Sequence, residues 1–382
     1  MMHYRGLTWD HPRGRSALEA AARKSATDDF SIDWDVHTLE GFESAPIEEL
    51  AERYDLIVLD HPHLGDALAG GSLRPMSELF DADELAAWET DGVGPSFSSY
   101  RMDEELWALP LDAATQVSAR RADLIAEAPR TWDEVRELSR TAPVALSLAG
   151  PHAFLSLCSI IVSLGGEPAA SDTGRFVDAE IGERAFDLMR TLADRAPAGA
   201  DQLNPIAMLD LMTAGDSIAY CPLIYGYVNY SSPALPRRVS FGQAPVAVSG
   251  GRIGSTIGGT GIAVSRRTGV APELLAHIRW LMSPSTQSYF IPTHEGQPSA
   301  RSAWNNELVD AASGRFYSGT LDTIEQSWVR PRFPGYIPFQ SEGSGVIRAA
   351  IRSGSTAAEL FDALTDLQRA AIAAASARKA LS

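Results

Sequence analysis

Residues 54–62 read Tyr54-Asp55-Leu56-Ile57-Val58-Leu59-Asp60-His61-Pro62, and the fold turns on this stretch. Four apolar residues stand in a row directly after Asp55, with no polar position between them. Such a run is a strand buried on both faces, the kind that lies in a sheet covered by helices. Pro62 stops the strand and turns the chain outward. Upstream, residues 46–54 are helical, with Pro46 near the first turn. Residues 31–38 alternate Ile32, Trp34 and Val36 with Asp33, Asp35 and His37, a half-exposed strand. Residues 16–25 form a helix with Ser16 as its N-cap, and residues 4–9 a short strand. The order β-α-β-α-β belongs to an open, mostly parallel sheet in an α/β protein.

The chain has 382 residues, with 32 Lys plus Arg against 49 Asp plus Glu and a net charge of −17. At roughly 100–200 residues per domain, that length gives two or three domains. An apolar fraction of 45% with 21% charged residues buries a large core and argues against disorder. The acidic balance argues against nucleic acid, whose phosphates need clustered cations, and against an anionic membrane surface. Cys158 and Cys221 are the only cysteines, so neither a disulfide framework nor a four-cysteine zinc site is present. They are expected as buried thiols, with a single bridge left open. Residues 142–166 carry no formal charge, but Gly150-Pro151 interrupts them and Ser156, Ser159 and Ser163 follow. A strand over 144–148 and a buried helix over 152–164 fit that stretch better than a membrane span.

Further along, residues 107–112 are a short apolar stretch that crosses to a second unit. Thr131 caps a helix, with Glu134 three residues later completing a capping box. Residues 216–220 and 262–265 read as strands, 231–238 as a loop, 272–282 as a helix and 356–380 as a final amphipathic helix.

One tripeptide recurs. Asp10-His11-Pro12 follows the first strand and Asp60-His61-Pro62 the third, with His63 close by. Ligands of open α/β sheets bind outside the carboxyl ends of the strands, where both copies fall. Three readings stay open: the pairs serve their own turns, contact a ligand, or hold a metal. No HExxH spacing supports the metal. No nucleophile elbow, phosphate loop or dinucleotide fingerprint is present either. Gly258-Gly259-Thr260-Gly261 precedes a strand and is either a tight turn or a bare backbone that a ligand approaches closely. Tyr225-Gly226-Tyr227-Val228-Asn229-Tyr230 offers flat faces with polar tips, which suit a sugar or an aromatic ring. His294-Glu295-Gly296-Gln297-Pro298 is a loop, and Arg330-Pro331-Arg332 reads as a rigid hinge segment.

Several strings, in order, resemble the maltose-binding-protein-like components of ABC importers, the extracellular solute-binding proteins of family 1. They are Arg5-Gly6-Leu7-Thr8-Trp9, Tyr54 to His61, Leu73-Arg74-Pro75-Met76, and Leu106-Trp107-Ala108-Leu109-Pro110-Leu111. Pro129-Arg130-Thr131-Trp132-Asp133-Glu134, Ala214-Gly215-Asp216-Ser217-Ile218-Ala219 and the run from Ile257 to Val264 complete the set, which spans nearly the whole chain.

The resemblance implies a periplasmic-binding-protein-like α/β fold. Two lobes, each with a central mostly parallel sheet flanked by helices, are hinged by crossover segments and close on a solute. It assigns residues 1–110 plus 252–303 to the first lobe and 113–248 plus 308–382 to the second, with crossovers near 110–113, 248–252 and 303–335. It lines the cleft with Trp9, Asp10, His11, Asp60, His61, Asp112, the Pro151-His152 turn, Tyr225, Tyr227, Gly258 and Gly259, and Gln297 joins them from its loop.

Sugar-binding members place a tryptophan in the loop matching Asp60-His61 and another near residues 223–225. This chain has neither, so Tyr225 and Tyr227 take that part and a long oligosaccharide is disfavoured. The expected function is non-catalytic binding of a small neutral ring-bearing solute, a sugar by default or a small polar aromatic compound. No cofactor and no metal are expected, and the partners are ABC permease subunits, with the protein as a monomer. The alternatives are a metal-assisted enzyme using Asp10/His11 and Asp60/His61, or an intracellular sensor that kept the fold. Residues 1–5 do not start a signal peptide. An extracytoplasmic location therefore follows from the resemblance alone, and a cytoplasmic one stays open.

Overall fold

The run Leu56–Leu59 is the third strand (β3) and all four of its side chains are buried. The computed structural model describes residues 2–169 and 174–381. Met1, Ser382 and residues 170–173, which belong to the lobe ranges assigned above, lie outside the described residues. β1 (Met2–Trp9) stands between β2 (Phe30–His37) and β3, parallel to both. Trp9 pairs with His37, and Leu7 with Ile57. A small hairpin of β4 (Arg101–Met102) and β5 (Glu105–Leu106) stands apart. β6 (Leu109–Arg120), β7 (Tyr220–Tyr225), β8 (Ser240–Gly242) and β9 (Ile257–Val264) complete a mixed seven-stranded sheet. Its order is β2-β1-β3-β9-β6-β7, with β8 paired to β6.

β6 links the two halves. Up to Thr115 it pairs with β9, and from Gln116 onward it pairs with β7 and β8, all antiparallel. One apolar cluster gathers Leu7, Ile57, Leu59, Ile262 and Ile278 and continues along the sheet to Met208, Phe241 and Phe316. A second surrounds the helix His152–Ser163, every residue of which is buried. Ala179–Arg195, Tyr336–Ser353 and Ala357–Leu381 pack around it. Three serines on so apolar a helix have partners. Ser156 accepts from the Gln116 amide at 3.3 Å, Ser159 donates to its carbonyl at 2.5 Å, and Ser163 accepts the Trp132 indole N–H at 2.7 Å.

The helix at Thr131 has its capping box as expected. Other boundaries differ for local reasons. The first helix runs Pro12–Ser25 rather than from residue 16, because the His11 imidazole caps it by accepting the Arg13 N–H at 3.1 Å. Residues 144–148 are not a strand. They make one isolated bridge, Val144 to Tyr220, and Pro143 has no N–H with which to extend it. The strand expected at 216–220 begins instead at Tyr220. Before it, the Arg121 guanidinium holds the carbonyls of Met212 and Gly215 at 2.8 and 2.6 Å and the Asp216 carboxylate at 3.1 Å in a turn. Residues 258–261 lie inside β9 and not in a turn ahead of it. Cys158 and Cys221 are free and buried. Among the described residues no helix is long and apolar enough to cross a membrane.

Candidate functional site

β1 and β3 are neighbours in register, so the chain leaves both strands at one edge of the sheet. Those exits and the short helix Leu39–Ser44 meet the start of the helix His152–Ser163 and the end of β7 around a cavity of about 60 Å³. Trp9, Glu43, Asp60 and His63 line it from the first half, and His152, Tyr225, Tyr227 and Gln340 from the second. Gly258, Gly259 and Arg330, on the connecting segments, complete its wall. At roughly 10–15 Å³ per water the space holds a few waters, and it is well short of the ~150 Å³ that encloses a benzene ring. A ring-sized guest needs more room than this space now gives.

Eight of the residues singled out from the sequence line this cavity: Trp9, Asp60, Pro151, His152, Tyr225, Tyr227, Gly258 and Gly259. The other five stand elsewhere. Asp10 is exposed and pairs with Arg15 at 3.0 Å. His11 forms a layer behind the wall, stacked on Trp9 at 5.4 Å and edge-on to Tyr227 at 4.9 Å. His61 is fully buried behind Asp60, with its Nδ1 3.0 Å from Oδ1, and the turn Asp60-His61-Pro62 presents His63 to the cavity instead. Asp112 sits behind Arg13. Gln297 joins two backbones, donating to the Ala113 carbonyl at 2.6 Å and accepting the Val228 N–H at 3.1 Å.

The sequence reading gave no place in the cleft to Arg13, Glu43 or Gln340, named His63 only as close by, and read Arg330 as part of a hinge. Arg13 is buried and bonds to both oxygens of Asp112 and, at 2.9 Å, to the Gly226 carbonyl. Its guanidinium lies 4.7 Å from the Tyr227 ring centre and 5.6 Å from that of Trp9, so it faces both aromatics. Burial penalises this cation, but the charge and hydrogen bonds of Asp112 prevail and raise its pKa. Arg330 is 2% exposed, pairs with Asp60 and donates to Gln340 at 3.1 Å, linking the end of β3 to the helix Tyr336–Ser353. Burial alone would raise the Asp60 carboxyl, yet Arg330 and His61 hold it well below the usual carboxylate range. His63 is pushed down to about 4, mainly by burial, so its imidazole is neutral at neutral pH. Glu43 meets His152 across the gap, Oε1 to Nε2, at 3.2 Å.

Around this cavity, polar atoms are buried without partners: Trp9 Nε1, His63 Nε2, His152 Nδ1, the Tyr225 hydroxyl and Arg330 Nε. A buried polar atom left unpaired costs about 1–3 kcal/mol. Together around one space they make a set of hydrogen-bonding positions, donors as well as acceptors, that a guest can fill. Two glycines bring the backbone close. Gly259 has φ +91, and a Cβ there would overlap the Asp112 carbonyl oxygen. A Cβ on Gly258 would stand 2.6 Å from Cε1 of Tyr225, so the Tyr225 ring rests on bare backbone. Behind the cavity the connecting segments are joined by hydroxyls. Thr115 meets Ser255 at 2.5 Å and Ser327 at 2.7 Å, and Ser255 donates to the Gln116 carbonyl at 2.5 Å.

No protein-family model and no curated protein matches the sequence. Solved structures do match in fold. T. maritima MalE3 with bound maltose superposes with a TM-score of 0.79 at 16% identity, over 96% of this chain and 99% of that one. An ABC transporter solute-binding protein from Thermotoga lettingae, bound with alpha-D-tagatose, gives 0.78 at 14% identity over 96% and 100%. One from Agrobacterium radiobacter, in complex with ribitol, gives 0.75 at 19% identity over 97% and 98%. The chain has the periplasmic-binding-protein-like α/β fold of these solute-binding proteins, the same group that its sequence strings resemble.

Proposed function

We propose that this chain is a non-catalytic solute-binding protein that closes its two lobes on a small hydroxylated, ring-bearing solute and presents it to ABC permease subunits outside the cytoplasm. A sugar or polyol is the first choice of solute and a small polar aromatic compound the second. The lobes are residues 1–110 plus 252–303 and 113–248 plus 308–382, and the protein works as a monomer. One observation carries the reading: a set of buried, unpartnered polar atoms around a space between the halves. Maltose, alpha-D-tagatose and ribitol in three proteins of this fold support the class of solute. An enzyme built on Asp10/His11 and Asp60/His61 has less support, because Asp10 is exposed and paired to Arg15. Among the described residues no three His, Cys, Asp or Glu are grouped to hold a metal. Neither thiol lines the cavity, and burial pushes Cys221 up to about 12.

A thermal-shift panel of monosaccharides, disaccharides, polyols and hydroxylated aromatics tests the proposal. A solute at a hundredfold excess over its Kd adds about 2.7 kcal/mol, a rise of about 3 °C for a chain of this length. A panel in which nothing raises Tm contradicts it.

A further inference from the structure

The charges around the cavity do not balance, and the imbalance says what the solute carries. Among the described residues two guanidiniums line the space. Arg330 is engaged by Asp60 and Gln340, and Arg13 by Asp112 and the Gly226 carbonyl. Glu43 has neither. Its partner is the His152 imidazole at 3.2 Å, which carries charge only when protonated. Arg348, the next cation near the Pro151 turn, donates to the Leu148 and Gly150 carbonyls at 2.9 and 2.6 Å and does not line the cavity. The start of the helix His152–Ser163 offers a partial charge of about half a unit, short of a counter-ion. The Glu43 side chain is 21% exposed, so water screens it only in part.

One of the unpartnered atoms, His63 Nε2, suits the same guest, while Arg330 Nε and Trp9 Nε1 are donors left for its hydroxyl oxygens. The His63 ring bonds to the Phe42 backbone, which leaves Nε2 as a bare acceptor on a neutral ring that is 4% exposed. Phe42 and Glu43 are consecutive, so this acceptor and the unbalanced carboxylate stand on one wall. A group with several N–H donors and one positive charge satisfies both.

We propose that the solute carries a protonated amine, that it is an amino sugar or amino polyol in class, and that its ammonium sits between the Glu43 carboxylate and His63 Nε2. The proposal rests on the solute-binding role and replaces the neutral solute expected from the sequence with a singly cationic one. Carboxylate or phosphate derivatives of the same scaffold are rejected, because Glu43 meets them with a negative charge that no cation among the described residues offsets. Bonds to an ionised group are about twice as strong as neutral ones, so the amine binds at least tenfold more tightly than its hydroxyl counterpart.

Calorimetric titration at pH 7 with matched pairs tests this: glucosamine against glucose, galactosamine against galactose, glucamine against sorbitol, and glucuronate as the anionic control. The expected result is a tenfold or greater preference for the amine in at least one pair, no glucuronate binding, and loss of the preference in Glu43→Gln. Equal affinities within every pair, or a preference that survives in Glu43→Gln, overturn the amine and leave the binding role standing. Absence of binding by every member, beside a wider panel that also fails, overturns both.

Discussion

Replacing Arg330 by methionine keeps much of the side chain's reach and removes its charge. The guanidinium is 2% exposed, and Asp60, its partner, is 18% exposed. Tyr100, Tyr225 and Tyr336 lie close enough to Asp60 to feel its charge, so little water reaches an unpaired carboxylate there. Breaking a buried pair by removing one partner costs about 3–5 kcal/mol, and the residual exposure of Asp60 puts Arg330→Met near about 3. With an unfolding entropy of about 0.8 kcal/mol/K for a chain of this length, Tm falls by about 4 °C at pH 7. The loss depends on pH with a definite sign. In the native protein the Asp60 pKa is depressed below the ordinary aspartate value, so its stabilisation is present above that value and fades as pH falls through the folded pKa. In Arg330→Met burial pushes the same carboxyl upward, and protonation relieves the penalty as the solution is acidified. Urea unfolding of both proteins at pH 7.5 and pH 5 measures this. A deficit under about 1 kcal/mol, or one equal at the two pH values, refutes the reasoning.

Three further outcomes follow from the same geometry. Tyr225→Phe removes a hydroxyl without a partner in the free protein, so Tm of the free protein holds or rises while solute affinity drops about tenfold; unchanged affinity in titration contradicts the site. Gly259→Ala puts a Cβ against the Asp112 carbonyl at φ +91 and costs about 3 kcal/mol or more by urea midpoint, whereas an unmoved midpoint contradicts the close approach. Burial holds His11, His61, His63 and His277 near 4, so each withdraws up to about 3 kcal/mol as pH falls from the unfolded value of about 6.5 toward 4. Tm therefore declines across that window, and a Tm constant down to pH 4 is the contrary result.

The parallel core was legible because its signals are local. Leu56–Leu59 is uniformly apolar, and β2 alternates along its length. The glycines of β9 left a turn and a bare ligand-facing backbone both open, because their use, close contact with β6 and with Tyr225, depends on residues far away in the chain. The site divides in the same way. Asp60, His152 and Tyr225 stand at strand ends or helix starts, which sequence marks well. Arg330 is 270 residues from Asp60, and its flanking prolines gave it the look of a hinge. Arg13 lies inside the first helical turn, where His11 drew the attention. The Asp60-His61-Pro62 motif pointed to the wrong histidine, because the tight turn His61–His63 buries the first ring behind the carboxylate and delivers the second to the cavity. Glu43 gave no signal at all: one glutamate on a short exposed helix matters only for the His152 it meets.

A crystal structure with the solute that produces the largest thermal shift tests the central claim most directly. The account predicts density for that solute between the halves, within hydrogen-bond distance of Glu43, His63, His152 and the Tyr225 hydroxyl, with the 60 Å³ space enlarged to fit it. Density for the solute at any other place, with that space unchanged and its polar atoms still unpaired, would contradict it.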